Sequence, residues 1–351
     1  MAYANGQSCD HSAGFTKAEF KWDSTTPLTY ERHLATAPEI YRGGIMSLIP
    51  SRSFDIAGSA AAFISVLCLM AFSLGSQAPV TRDTVRHAGE TASRRYPPGI
   101  QDNSFLIEEA YNQDPGVVQH ISQFQQDLGG AGFDFLFTQE WPVGGITHQL
   151  SYSIPITRPG ASEGAGMGDV RLNYRYQLVG DGEAIFAIAP RLTLILPTGD
   201  FHRSRGAGAT GYEVWLPASL VLSEKLIAHG NAGLTLTPRA RDPEGDRATT
   251  HTWTFGGSVV WLFKPFFNVL LEALYQRAED VTAPQHTDGS NVVTISPGVR
   301  WAYNFSTGLQ IVPGIAVPFV VAPGRGSRSI FLYLSFEHPF TSAAREKARG
   351  K

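Results

Sequence analysis

The sequence predicts an all-β protein, a single closed antiparallel transmembrane β-barrel of about 12 strands preceded by an N-terminal signal peptide. Three observations lead there. Residues 330–340 (IFLYLSFEHPF) alternate, with Ile330, Leu332, Leu334 and Phe336 on one side and Phe331, Tyr333, Ser335 and Glu337 on the other. That is the period-two pattern of a strand between lipid and a wetter interior. Eleven earlier stretches repeat it, and an even count fits closure, because an open edge in hydrocarbon leaves N–H and C=O groups unpaired. Finally, one apolar run, 56–74, is followed by Ser76-Gln77-Ala78, the small-residue signature of signal-peptide cleavage.

Taken in order, residues 1–45 are polar and aperiodic, and are expected to be an over-extended, disordered N-terminus with translation starting at Met46. Residues 46–78 form the signal peptide. Arg52 supplies its positive charge, and the Ala, Ser and Gly content of the apolar run separates it from a membrane anchor of similar length. Residues 79–116 are a periplasmic linker. Its stretch 105–113 (FLIEEAYNQ) reads as a short helix or plug at the periplasmic mouth, or as a strap outside the lumen. The barrel occupies 117–340, and 341–351 is a polar tail. Both cysteines, Cys9 and Cys68, precede the exported part, which excludes thiol catalysis and Cys-based metal sites there. A net charge of −3 with 17% charged residues excludes a nucleic-acid binder.

The alternating stretches are 117–126, 133–141, 146–154, 169–178, 184–196, 212–222, 226–237, 250–263, 266–277, 291–303, 309–319 and 330–340. The fourth is the cleanest, setting Val170, Leu172, Tyr174, Tyr176 and Leu178 against Asp169, Arg171, Asn173, Arg175 and Gln177. Connections alternate in length: 142–145, 179–183, 223–225, 264–265 and 304–308 are tight. Those at 155–168, 197–211, 238–249, 278–290 and 320–329 are longer. Short turns belong in the periplasm and long loops outside. Trp141, Trp261 and Trp301 lie near the short-turn ends, and Tyr212, Trp253 and Tyr275 near the long-loop ends, all on the apolar face. Trp253 and Trp261 are separated by about 20 Å along the barrel axis, matching an apolar band flanked by two aromatic belts. A bacterial outer membrane is the expected location.

Three segments, GAGMGDVRLNYRYQLV (164–179), SFLIEEAYNQDPGVVQHI (104–121) and FTQEWPV (137–143), carry a resemblance. The chain resembles the outer-membrane transporter barrels grouped with the MetA-pathway phenol-degradation proteins, over most of 104–340. The resemblance implies passage of small, often aromatic compounds and no defined catalytic residues. Such barrels usually end on the terminal aromatic, whereas eleven residues follow Phe340 here, a departure that bears on recognition by the barrel-assembly machinery.

The polar faces supply candidate lumen and solute-path residues: Asp134, Glu140, Arg171, Arg175, Arg191, Glu213, Glu272, Arg300 and Glu337, with His229 beside them. Twelve strands enclose a bore that side chains largely fill, so these residues read either as packed ion pairs, Glu272 with Arg300 for instance, or as a path. On the second reading Arg171, Arg175 and Arg191 form a basic ladder whose field orients polar solutes. Arg203, Arg205, Arg239, Arg241, Arg247, Arg325 and Arg328 fall in outer loops, where guanidinium groups match lipopolysaccharide phosphates. His120 and Ser122 share a face, the minimum for a lipase, but no orienting Asn accompanies them. Gly164-x-Gly166-x-Gly168 precedes a strand, so no dinucleotide cofactor is expected. Asp242, Glu244 and Asp246 lack the spacing of a known calcium loop, so no metal site is expected. The expected partners are outer-membrane lipid, lipopolysaccharide, the assembly machinery and a small-molecule solute. The leading reading is passive passage of a small, aromatic or hydrophobic solute. A structural or surface-contact barrel with a filled lumen is the alternative, and an outer-membrane lipase comes third.

Overall fold

In the computed structural model each alternating stretch pairs with the next in chain order, and the last returns to the first. Residues 100, 102–323, 326–342 and 344 are described; the expected over-extended N-terminus at 1–45, the expected signal peptide at 46–78, Arg325 and nearly all of the 341–351 tail lie outside them. The strands are β1 (Val117–Asp127), β2 (Phe133–Val143) and β3 (His148–Arg158). Next come β4 (Gly166–Met167 and Arg171–Tyr176), β5 (Phe186–Ile188 and Arg191–Ile195) and β6 (Gly211–Ser223). β7 (Leu226–Arg241), β8 (Arg247–Lys264), β9 (Phe267–Ala283) and β10 (His286–Trp301) follow. The set ends with β11 (Gln310–Ala316 and Phe319–Ala322) and β12 (Ser329–Pro339).

All neighbours are antiparallel. Closure is complete: β12 pairs with β1 from Val117↔Pro339 to Asp127↔Ser329, so neither terminal strand keeps a free edge. The pleat then decides which residues meet lipid. On β12, Phe331 and Tyr333 are 0% and 2% exposed inside, while Ile330 and Leu332, on the outer side, are 36% and 45% exposed. The six belt aromatics also lie on outward positions, with Trp261 and Tyr275 among the exposed large hydrophobics.

Two expectations change. The connections 238–249 and 278–290 are largely strand, because β7 and β8 pair out to Arg241↔Arg247, and β9 and β10 out to Ala283↔His286. Backbone pairing does not require lipid, so these hairpins continue past the apolar band in polar sequence. Only Pro284 and Gln285 separate β9 from β10, with Gln285 in the left-handed region (φ 62°). Second, strands four and five are broken. Pro190, which has no N–H to donate, interrupts β5, and Asp169 leaves the β4 ladder altogether. Its carboxylate accepts from the N–H groups of Gly199 and Ala207 (2.8 and 2.7 Å), which ties the 197–210 loop over the barrel rim.

Candidate functional site: a plugged lumen

The polar faces of twelve strands point into one interior, and the chain ahead of β1 runs inside it. Residues 102–113 contain no helix and are almost wholly buried. An extended segment in such a place presents unpaired backbone groups, each of which needs a partner. The wall supplies them. Arg300 Nη1 donates to the carbonyls of Asp102 (2.6 Å) and Asn103. Glu272 Oε1 accepts from three successive N–H groups, those of Phe105, Leu106 and Ile107, at 2.8, 2.8 and 3.1 Å. Asn231 pairs with both backbone groups of Glu108, accepting from its N–H and donating to its carbonyl (both 2.8 Å). Ser219 Oγ accepts from Ala110 N–H, Gln177 Oε1 from Asn112 N–H, and Gln149 Oε1 from Gln113 N–H. Arg175 donates to the carbonyls of Glu109 and Tyr111 and to Asn112 Oδ1. The segment therefore runs along the inner wall from β10 and β12 through β9, β8, β7 and β6 to β4 and β3. Most of these partners sit in the halves of their strands nearest the short turns.

Side chains add to the grip. Asp102 Oδ1 accepts from Gln119 Nε2 (2.8 Å) and from the Tyr333 hydroxyl (2.7 Å). Ser104 and Ser258 hydroxyls are 2.8 Å apart. Burial raises the carboxyl pKa values of Asp102 and Glu108, against the pull of Arg300 and Arg191 respectively. Burial, reinforced by the charge of Asp102, pushes Glu109 up to about 8. Ile107 occupies space that only a glycine at 256 leaves, since a Cβ there would collide with its Cδ1.

Each predicted lumen residue can now be placed. Arg171 and Arg191 do not form an open ladder with Arg175. Arg171 Nη1 and Arg191 Nη2 both bind Glu213, at 3.0 and 2.8 Å, and Arg191 also meets Glu108 of the plug at 3.0 Å. Thr235 donates to the same Glu213 carboxylate, and the Arg191 guanidinium stands 5.9 Å over the Trp215 ring. Arg175 lies 3.8 Å from Glu140, which also accepts from Gln149. Buried charges persist only when paired in this way. Glu272 and Arg300 serve the plug rather than each other. Their register partners are Ser296 and Asn268, so the expected cross-strand pair is replaced by two contacts to plug backbone. His229 donates or accepts at Ser219 (2.8 Å). Asp134 and Glu337 occupy half-buried inward positions opposite Thr157 and Gln119.

Among the outer-loop arginines, Arg205 is committed to Asp200 (3.1 Å) and the Ala165 carbonyl, and Arg241 packs over Phe201 at 5.1 Å. Arg203, Arg239, Arg247 and Arg328 are exposed. Asp242 accepts from the Asp246 N–H at 2.8 Å and so shapes its own turn. His120 and Ser122 face outward on β1, and the His120 ring lies against those of His338 and Phe137, at 5.5 and 6.2 Å. Sequence reasoning missed Asn231, Gln149, Gln177, Ser219, Asp102 and Tyr333. Alternation placed the wall members of that set inside, but no spacing rule links them to a segment up to 231 residues away.

The sequence matches the family described as "Putative MetA-pathway of phenol degradation" over residues 98–319. No curated protein matches it. An outer membrane channel from Pseudomonas putida is similar over 65% of this chain and 97% of its own, at 10% identity and TM-score 0.52. NanC porin aligns over 62% and 98% at 11% identity and TM-score 0.44. The CymD monoaromatic hydrocarbon channel aligns over 65% and 89% at 9% identity and TM-score 0.34. The first likeness is one of fold, and the other two overlay too loosely to carry an argument. A closed barrel of this kind, greasy outside and polar within, resides in the bacterial outer membrane.

Proposed function

The chain belongs to the MetA-pathway phenol-degradation family, and from that premise we propose that it mediates non-catalytic, passive passage of a small aromatic or hydrophobic solute through a lumen opened by displacing residues 100–113. The observation that carries this is the form of the obstruction. The plug is bound by hydrogen bonds from many strands rather than woven into the ladder, so it can leave without breaking the barrel. Each neutral bond of this set is worth about 0.5–1.5 kcal/mol net, and each bond to Glu272, Arg175 or Arg300 about 1.5–3 kcal/mol. Arg171 and Arg191 remain paired through Glu213 when it does. Exposed Arg203, Arg239, Arg247 and Arg328 complete the reading as contacts to lipopolysaccharide phosphates.

The filled interior favours one second reading, a non-conducting structural barrel. The test is a planar-bilayer and liposome assay on the parent and on a variant lacking 100–113. Passage predicts phenol uptake by the parent and a large rise in conductance on deletion. A barrel silent in both forms belongs to the second reading.

A further inference from the structure

Phe105 of the plug sits in a niche of unusual construction. Gly298 on β10 and Gly314 on β11 form its floor. A Cβ at 298 would lie 2.6 Å from Phe105 Cε2, and one at 314 would lie 2.5 Å from Cε1 and Cζ. The Phe331 and Tyr333 rings of β12 form one side, with centroids 5.5 and 5.4 Å away at tilted angles. Leu270 and Ala316 complete the apolar lining around Gly298. Glycine in a strand interior weakens the sheet, and it marks places where another group comes close to the backbone. Two such residues on neighbouring strands, under one ring, make a slot the size of a benzene ring.

Unused hydrogen-bonding capacity lies in the same stretch of wall. Asn268 pairs in register with Arg300. It is fully buried, and neither Oδ1 nor Nδ2 of its amide has a partner; Arg300 Nε also lacks one. Buried polar groups are ordinarily satisfied, so an apolar ring slot with an unsatisfied amide on the adjoining strand, two residues from the lining Leu270, points to a ligand that combines a ring with a polar group.

We propose that the niche now filled by Phe105 is a binding site for the ring of a small aromatic solute bearing one hydroxyl, and that solute and plug compete for it. This rests on the passage reading above and adds to it the site, the ring-sized specificity and the trigger. The incoming ring takes the place of the phenylalanine, and its hydroxyl engages Asn268. The plug loses its apolar anchor and the exit opens. A dry, apolar cavity in a protein core is known to accept a benzene-sized guest.

The probe is 4-fluorophenol, observed by fluorine NMR on the full-length protein in detergent, with heat-shifted gel mobility confirming the folded barrel. Phe105→Ala is expected to bind the probe at least tenfold more tightly than the parent. Adding Gly314→Val to that variant refills the slot and is expected to abolish the gain. In the parent, saturating 4-fluorophenol is expected to speed hydrogen exchange at the amides of 105–107, with glycerol having no effect. The last measurement needs no variant. Parent amides indifferent to the probe, or a folded Phe105→Ala barrel that binds no better than the parent, would overturn the proposal. Probe flux into liposomes is read separately. Flux without niche binding removes this site and leaves passage standing, whereas niche binding without flux does the reverse.

Discussion

Replacing Glu272 by alanine tests the plug most directly. Glu272 is fully buried, and its Oε1 alone accepts the N–H groups of Phe105, Leu106 and Ile107. Removing it strands three donors, those of Phe105 and Ile107 buried and that of Leu106 partly so. Each costs about 1–3 kcal/mol when left without an acceptor, so even the lower bound takes about 3 kcal/mol from the inserted state. At about 1.4 kcal/mol per factor of ten, the ratio of inserted to released plug falls roughly a hundredfold. Hydrogen exchange across 102–113 should quicken by about that factor, while the strand amides of β7 to β9 stay protected. Single-channel recordings should show more frequent open events. Glu272→Gln keeps an acceptor oxygen and should fall between parent and alanine variant. If Glu272→Ala folds and its plug amides exchange at the parental rate, the three bonds do not hold the plug and the gating argument fails.

Other perturbations probe separate parts of the account. Burial, then the charge of Asp102, lifts Glu109 from 4.5 to about 8. A raised carboxyl pKa favours the inserted plug most below about pH 4.5, and that contribution is lost as pH climbs through about 8. Open probability in a bilayer should therefore rise over this window, and Glu109→Gln should reduce the rise, leaving the share that the raised Asp102 and Glu108 contribute. Glu213→Gln leaves Arg171 without its buried carboxylate and Arg191 with Glu108 alone. Breaking a buried pair costs about 3–5 kcal/mol, so denaturant unfolding followed by tryptophan fluorescence should show a loss near the lower figure; an unchanged midpoint counts against the cluster. Leu332→Lys puts a charge on the lipid face of β12 and should cost about 2–4 kcal/mol if that position lies near the bilayer midplane. The same change would be nearly silent if the outer face met water.

The barrel was legible because its signal is local. Alternation at Val170 to Leu178 or Ile330 to Phe340 is dictated by the pleat and by what lies on each side of the sheet, and neither needs knowledge of the rest of the fold. Strand ends were less legible: the β7–β8 and β9–β10 hairpins continue into polar sequence where the hydrophobic contrast stops, although the backbone pairing does not. The Asp169 break was hidden for the opposite reason, because its alternation is intact and only the N–H groups of Gly199 and Ala207 reveal its use. The lumen was half legible. Parity places Arg171, Glu213, Glu272 and Arg300 inside, but their partners depend on a segment with no periodicity. FLIEEAYNQ reads as a short helix or plug at the mouth, or as a strap outside the lumen, and its extended course along the inner wall comes from side chains scattered over most of the strands that follow it.

Only Asp114, Pro115 and Gly116 separate the plug from β1, with Gly116 at φ 79° and the Val117 N–H returning to the Asp114 carbonyl at 3.0 Å. A stopper on so short a leash cannot wander once dislodged. Its return is a unimolecular event at a local concentration of about millimolar, independent of how many barrels the membrane holds. On the gating proposed above, each displacement of the stopper is followed by its return within the same barrel, drawn back by the wall groups whose hydrogen bonds it left behind.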